Sequence, residues 1–185
     1  MRVMESITNF LEDQLGLPVN KEKSQVSLRK DVEYLGFQIL RDKIRVSTNA
    51  RSKFKAKVRE LTNRNNPLSM NQIIQSLNDY QRGWAGYYRV QEFRTVFRRL
   101  DEFIRSRIRS MQLKKWKKPK KFQGIMIRAG YAPEIARKTW VKMRNWQSVK
   151  RKEVRFTLNL KWFRQLGIIF LDDYINRTLE LNFSR

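Results

Sequence analysis

Between residues 54 and 111 apolar side chains return at helical intervals in three successive stripes. A chain with that pattern has to bury three helix faces against one another. The first stripe is Phe54, Val58 and Leu61. Asn65-Asn66-Pro67 interrupts it, since the residue before a proline is pushed out of the helical region and asparagine favours turns. Ser69 followed by Gln72 fits a capping box and opens a second stripe of Ile73, Ile74, Leu77, Tyr80 and Trp84. The third covers about 91–112, with Phe93, Val96, Phe97, Leu100, Ile104, Ile108 and Met111 on one side. These stripes predict a bundle of three helices.

The flanks are less regular. Val3, Met4, Ile7, Phe10, Leu11 and Leu15 predict an amphipathic helix over 2–15, which Gly16 and Pro18 end. Leu35, Phe37 and Ile39 alternate, as do Ile44 and Val46, so a β-hairpin is expected with its turn at Asp42-Lys43. Past the third helix a basic linker, 114–121, leads to the Gly/Pro-punctuated segment IMIRAGYAP. Pro133 suits the first turn of a helix reaching about Trp146. Val154, Phe156 and Leu158 alternate like a short strand, and Gly167 is a plausible helix stop. The expected fold class is mainly α with a small N-terminal β-hairpin (α+β), the bundle being followed by a basic C-terminal helical region.

Charge narrows the function classes. The 185 residues carry 41 Lys+Arg against 17 Asp+Glu, a formal net charge of +24, and 12% of them are aromatic. So many aromatics argue for a packed core rather than disorder, and a folded domain of this charge repels itself unless a polyanion offsets it. No apolar run approaches the roughly 20 residues of a spanning helix, and no signal peptide is evident, so nucleic acid is favoured over a membrane. There is no Cys and no His, which excludes zinc fingers, disulfides, Cys nucleophiles and His general bases within this sequence.

The third helix is where the charge is most ordered. At 100° per residue, Arg94, Arg98, Arg105 and Arg109 fall within about 60° of one another. They form a ridge of guanidinium groups beside the apolar stripe, and such forks match phosphate oxygens in pairs. From Arg105 to Lys121 there are nine basic residues, among them Lys114, Lys115, Lys117, Lys118, Lys120 and Lys121, and no acid follows until Glu134. A merely solvated face normally mixes signs, so this region is expected to contact nucleic acid. Trp116, inside the run, either stacks on a base or anchors the run on the core.

Three stretches, in order, resemble the bacterial group II intron reverse transcriptases. LGLPVNKEKSQV (15–26) is similar to the segment after their polymerase active-site hairpin. VEYLGFQI (32–39) is similar to the motif that closes the palm and leads into the thumb. Residues 53–121, centred on LNDYQRGWAGYYR (77–89), resemble the maturase-specific region, and the tail NWQSVKRKEVRFTLNLKWFRQLGIIFLDDY resembles the end of such proteins. The resemblance implies a palm remnant over 1–48, a thumb-like maturase helical domain over 49–121 and a basic post-thumb region over 122–185. Arg82 and Arg89, which flank Gly83-Trp84-Ala85-Gly86-Tyr87-Tyr88, are candidate phosphate contacts. The aromatics of that cluster are expected in the core, with its glycines allowing close approach of elements.

The same resemblance implies intron RNA and an RNA/DNA template–primer duplex as partners, in the bacterial cytoplasm. The family's Tyr-x-Asp-Asp box is missing from the sequence, so no catalytic residue and no cofactor are assigned here, and Mg2+ is expected only for the palm that lies outside it. Asp172-Asp173 is the one Asp-Asp pair. It falls on the wrong side of the matched motifs for that box and is expected to be surface charge or a helix-start acid. Two alternatives stand beside the maturase reading. The chain is one half of a split polymerase completed by a separate fingers–palm chain, against which the helix at 2–15 would lay its apolar face, or it is a generic basic RNA-binding protein.

Overall fold

The computed structural model describes residues 2–28, 31–40, 43–116, 119–142 and 146–183. The chain starts with α1 (Arg2–Asn9), which widens into a π-helical turn over Phe10–Gln14. Leu17 N–H closes back on the Leu11 carbonyl at 2.9 Å, and Gly16 takes φ +64°, a left-handed conformation that ends the helix as expected. Val3, Ile7 and Phe10 of this amphipathic segment remain more than half exposed.

The expected hairpin is present but carries one more strand. β1 (Glu33–Tyr34), β2 (Phe37–Leu40) and β3 (Lys43–Val46) form an antiparallel meander in that order. Tyr34 faces Phe37 in one ladder, and Phe37 faces Val46 and Leu40 faces Lys43 in the other. Lys43 of the predicted turn is thus a strand residue, and Asp42 lies outside the described residues. Leu35 and Gly36 both take positive φ, 49° and 78°, which is the backbone of a two-residue hairpin turn.

Three long helices follow: α2 (Thr48–Leu61), α3 (Met70–Tyr88) and α4 (Arg94–Lys115). Ser47 caps α2 by accepting from Ala50 N–H at 3.0 Å. Ser69 and Gln72 form the capping box read from the sequence, with both reciprocal bonds made. The predicted stripes meet in one core, where Phe54 and Val58 of α2, Leu77 of α3, and Phe97, Leu100, Ile104 and Ile108 of α4 are buried together.

The described residues of the run 114–121 belong to helices and a cap and not to a linker. Lys114 and Lys115 close α4, Trp116 caps it, and Pro119 begins α5 (Pro119–Arg128). α6 (Pro133–Val141) starts at the expected proline but is shorter than predicted. A 3-10 turn over Trp146–Lys150 then leads to α7 (Lys152–Thr157), α8 (Leu160–Gln165) and α9 (Leu171–Phe183). The predicted strand at 154–158 is therefore a helical turn. Val154 and Leu158 are buried at i, i+4 spacing while Phe156 points outward, so the alternation of three residues had a helical explanation. Trp116, Phe122, Met126, Ala136, Val154 and Leu158 make a second, smaller core, and Trp162 packs against both cores.

The sheet is tied to the bundle through Gly36. A Cβ on Gly36 would collide with the Tyr88 hydroxyl, and Tyr88 is itself fixed between Phe37 and Trp84, with ring centroids 5.0 and 4.5 Å away. Gly36→Ala is expected to destabilise the protein by roughly 1–3 kcal/mol, from a strained left-handed residue plus the displaced ring. Urea denaturation checks this, and an unchanged midpoint would mean that Tyr88 yields freely.

Candidate nucleic-acid interface

The arginine ridge on α4 lies where the sequence puts it, along one side of the helix next to the core. Its neighbours are residues of the same chain. Arg94 donates to the Asn176 side chain at 2.8 Å, and Arg98 pairs with Asp172 at 3.2 Å. Arg105 sits 5.4 Å from the Phe170 ring centre and Arg109 5.0 Å from that of Phe163, while Arg109 also donates to the Leu158 carbonyl. Moving toward the C-terminus of α4, the partners move back along the chain, so the segment 158–176 runs antiparallel along the ridge. The Arg98–Asp172 pair, with the Arg98 side chain 67% exposed, contributes little stability.

That returning segment is held by two buried polar groups. Asn78 of α3 donates to the Gly167 carbonyl at 2.7 Å and accepts from Ile169 N–H at 3.0 Å. Asp101 of α4 accepts from Leu171 and Asp172 N–H at 2.9 and 3.2 Å, satisfying two donors that the first turn of α9 would otherwise leave orphaned. Burial pushes the Asp101 carboxyl up to about 7, against the opposing pull of the two N–H donors and of Arg105.

The remaining predicted residues divide by position. Arg82 is exposed and pairs with Asp79 on its own helix at 3.0 Å, and Arg89 is exposed at the end of α3. Lys115 donates to the Leu68 carbonyl at 2.6 Å and Lys114 bonds to the Asn65 side chain, so both tie α4 to the α2–α3 connection. Lys120 and Lys121 are exposed on the first turn of α5. Lys117 and Lys118 lie outside the described residues. Trp116 is 5% exposed and packs on Phe122, with ring centroids 5.8 Å apart, so the anchoring alternative holds and its faces are not open to a base. Trp84 packs in the aromatic core as expected, 4.5 Å from Phe54. Gly83 and Gly86 bring no elements together: a Cβ on either would meet nothing within 4 Å.

What the sequence reading missed lies across from α4. Two adjoining cavities, about 490 and 510 Å3, share Arg105, Arg109 and Arg155. Lys150 completes the first, with Glu102 at its wall, and Lys152, Phe156, Asn159 and Leu160 complete the second. Burial, then Arg105 and Arg155, depress the Arg109 guanidinium to about 10. Among the described residues, none of the ion pairs includes Arg105, Arg109 or Arg155. Lys150, Lys152 and Arg155 had a signal, the run Lys150-Arg151-Lys152, but it is short and Glu153 interrupts it.

Like charges crowd elsewhere too. Arg51 is depressed by burial and by Arg45 and Arg99, and Arg107 by burial and by Arg59 and Arg64. Arg107 is partly compensated, since it donates to the Thr62 side chain and carbonyl at 3.1 and 2.9 Å at the C-terminal end of α2. A carboxylate metal centre does not fit Asp172-Asp173. Asp172 engages Arg98 and Asp173 lies 3.9 Å from Arg164, both in the first turn of α9, and no group of three potential ligands exists among the described residues.

Comparison with protein families shows what part of this helical core is similar to. The family model of the group II intron, maturase-specific domain matches residues 51–130. Those residues are similar to a maturase-specific domain. The match starts in the first turn of α2 and runs just past α5, so it contains the ridge, the Arg82–Arg89 cluster and the basic run, whereas Lys150, Lys152 and Arg155 lie beyond it. It bears out the resemblance to the C-terminal region of a group II intron maturase. No curated protein was found to match the chain. No helix among the described residues is long and apolar enough to cross a membrane.

The Asp101 contact gives the helical bundle a pH signature. A carboxyl that holds its proton more tightly folded than unfolded stabilises the fold most at low pH. That contribution is lost as pH rises from about 4 to about 7, by at most ~1.4 kcal/mol per pH unit. Denaturation of Asp101→Asn beside the unsubstituted chain across this window is expected to remove that component of the slope. Identical slopes would show that Asp101 does not titrate there.

Proposed function

We propose that this chain grips group II intron RNA through the basic side of α4, α5 and α7, and thereby supports splicing. The observation that carries the reading is a set of three guanidinium groups, Arg105, Arg109 and Arg155, facing one cleft with no carboxylate paired to them among the described residues, next to a stretch similar to a maturase-specific domain. Holding unpaired cations together costs self-repulsion, and a phosphate backbone relieves it while releasing counterions. The exposed Lys120 and Lys121 extend the same single-sign surface. Within a reverse transcriptase of this family, in a bacterial cytoplasm, the bundle would also grip template–primer duplex. Any polymer synthesis, with its Mg2+, would belong to a palm carrying the carboxylates that these 185 residues lack.

The test is binding of the chain to a group II intron RNA and to a scrambled structured RNA of equal length, at about 50 and about 200 mM salt. A preference for the intron that survives the higher salt is expected. Equal affinities that fall together would replace this reading with that of a general basic RNA-binding protein. The double variant Lys120→Gln/Lys121→Gln is expected to flatten log K against log[salt] by about 0.7–0.9 for each phosphate that is no longer neutralised. An unchanged slope would remove both lysines from the interface.

One observation favours a second reading. Val3, Ile7 and Phe10 of the N-terminal helical segment, with Leu15, Leu17, Val26 and Leu28 after it, are each more than half exposed. So much apolar surface on one short stretch fits a fingers–palm partner, in the same polypeptide or a separate one. A fingers–palm fragment of such an enzyme would then co-purify with the chain and not with Ile7→Asp/Phe10→Asp. Equal recovery with both sinks the idea.

A further inference from the structure

We propose that the cleft between α4 and α7 is a socket for one unpaired RNA nucleotide, its phosphate held by Arg105, Arg109 and Arg155 and its base stacked on Phe156. The inference rests on the nucleic-acid reading above and goes beyond it by stating what form of RNA this site takes.

Two of the three cations are already fixed in place. Arg109 is held by the Leu158 carbonyl at 3.0 Å and by the Phe163 ring, and Arg105 lies over Phe170. Little side-chain freedom is then lost when they meet an anion, and guanidinium forks suit phosphate oxygens. Arg155 faces them from α7 on the opposite wall. Lys150 and Lys152 bring the local charge well above what Glu102 offsets, so the site draws in an anion, which the phosphodiester of RNA supplies.

The outer cavity, about 510 Å3, has a different character at its rim. Phe156 is 58% exposed, touching Tyr131 only edge to face at 5.5 Å, and Leu160 beside it is 48% exposed. An exposed aromatic ring immediately beside phosphate-binding arginines is the arrangement on which an unstacked base lies. A base stacked within a duplex has both faces covered by its neighbours and cannot lie on this ring.

The experiment measures affinity of the full chain for two fluorescein-labelled probes, an unstructured uridine 12-mer and a 12-base-pair RNA duplex. Phe156→Ala is expected to weaken the single-stranded probe on the order of 10-fold and leave the duplex within about twofold. Arg155→Gln is expected to weaken the 12-mer and lower its salt slope by about 0.7. Both side chains are exposed, so neither variant should fail to fold, and duplex binding reports that directly. If Phe156→Ala binds the 12-mer as the unsubstituted chain does, or loses both probes equally, the socket is overturned while the nucleic-acid reading stands. If the unsubstituted chain binds neither probe, both readings fall.

Discussion

The buried Asp101 carboxylate, accepting two N–H groups at the start of α9, is the contact on which the arrangement of this protein depends. Together with Asn78 bonding to Gly167 and Ile169, it supplies the buried polar contacts that bring the C-terminal segment back onto α3 and α4. Both side chains are short and project from helices that the bundle core already fixes, so the position of α9 is set by atoms with little freedom. Phe163, Phe170, Leu171 and Ile175 then enter the core formed by Phe54, Phe97 and Leu100. The tail is thus part of the bundle and not an appendage to it.

That return decides what the arginines can do. Two at the N-terminal end of the ridge meet Asn176 and Asp172, and two further on lie over phenylalanine rings and open into the cleft with Arg155. A guanidinium over a ring keeps its edge free for hydrogen bonds, so packing and anion binding are compatible in one residue. Arg98 meets Asp172 through Nε alone, and Arg94 meets an amide oxygen, so these two are tethered to α9 without being buried by it.

Much of this was legible in the sequence. The three stripes, the Ser69–Gln72 box, the left-handed Gly167 and the angular clustering of the arginines all follow from local chemistry and helical periodicity. The partners of the ridge were not, because 158–176 is far from α4 in sequence and its phenylalanines carry no mark of which face they will cover. Trp116 could be read either way from its neighbours, and only packing against Phe122 resolved it. Val154, Phe156 and Leu158 misled because three alternating residues fit both a strand and one helical turn. The cleft escaped for a related reason: its cations come from two helices about fifty residues apart, and no linear pattern marks a juxtaposition of that kind.

α4 also gives the molecule a mechanical property. Its 22 residues, at 1.5 Å each, make a rod of about 33 Å that carries side chains of the first core along its length and leads through Trp116 into the second. Trp162 packs against both cores, so neither can shift along the rod without disturbing the other. A strut braced in this way keeps a constant distance between the sheet at one end and the small core at the other, and a long ligand lying along it would be measured against a rigid gauge.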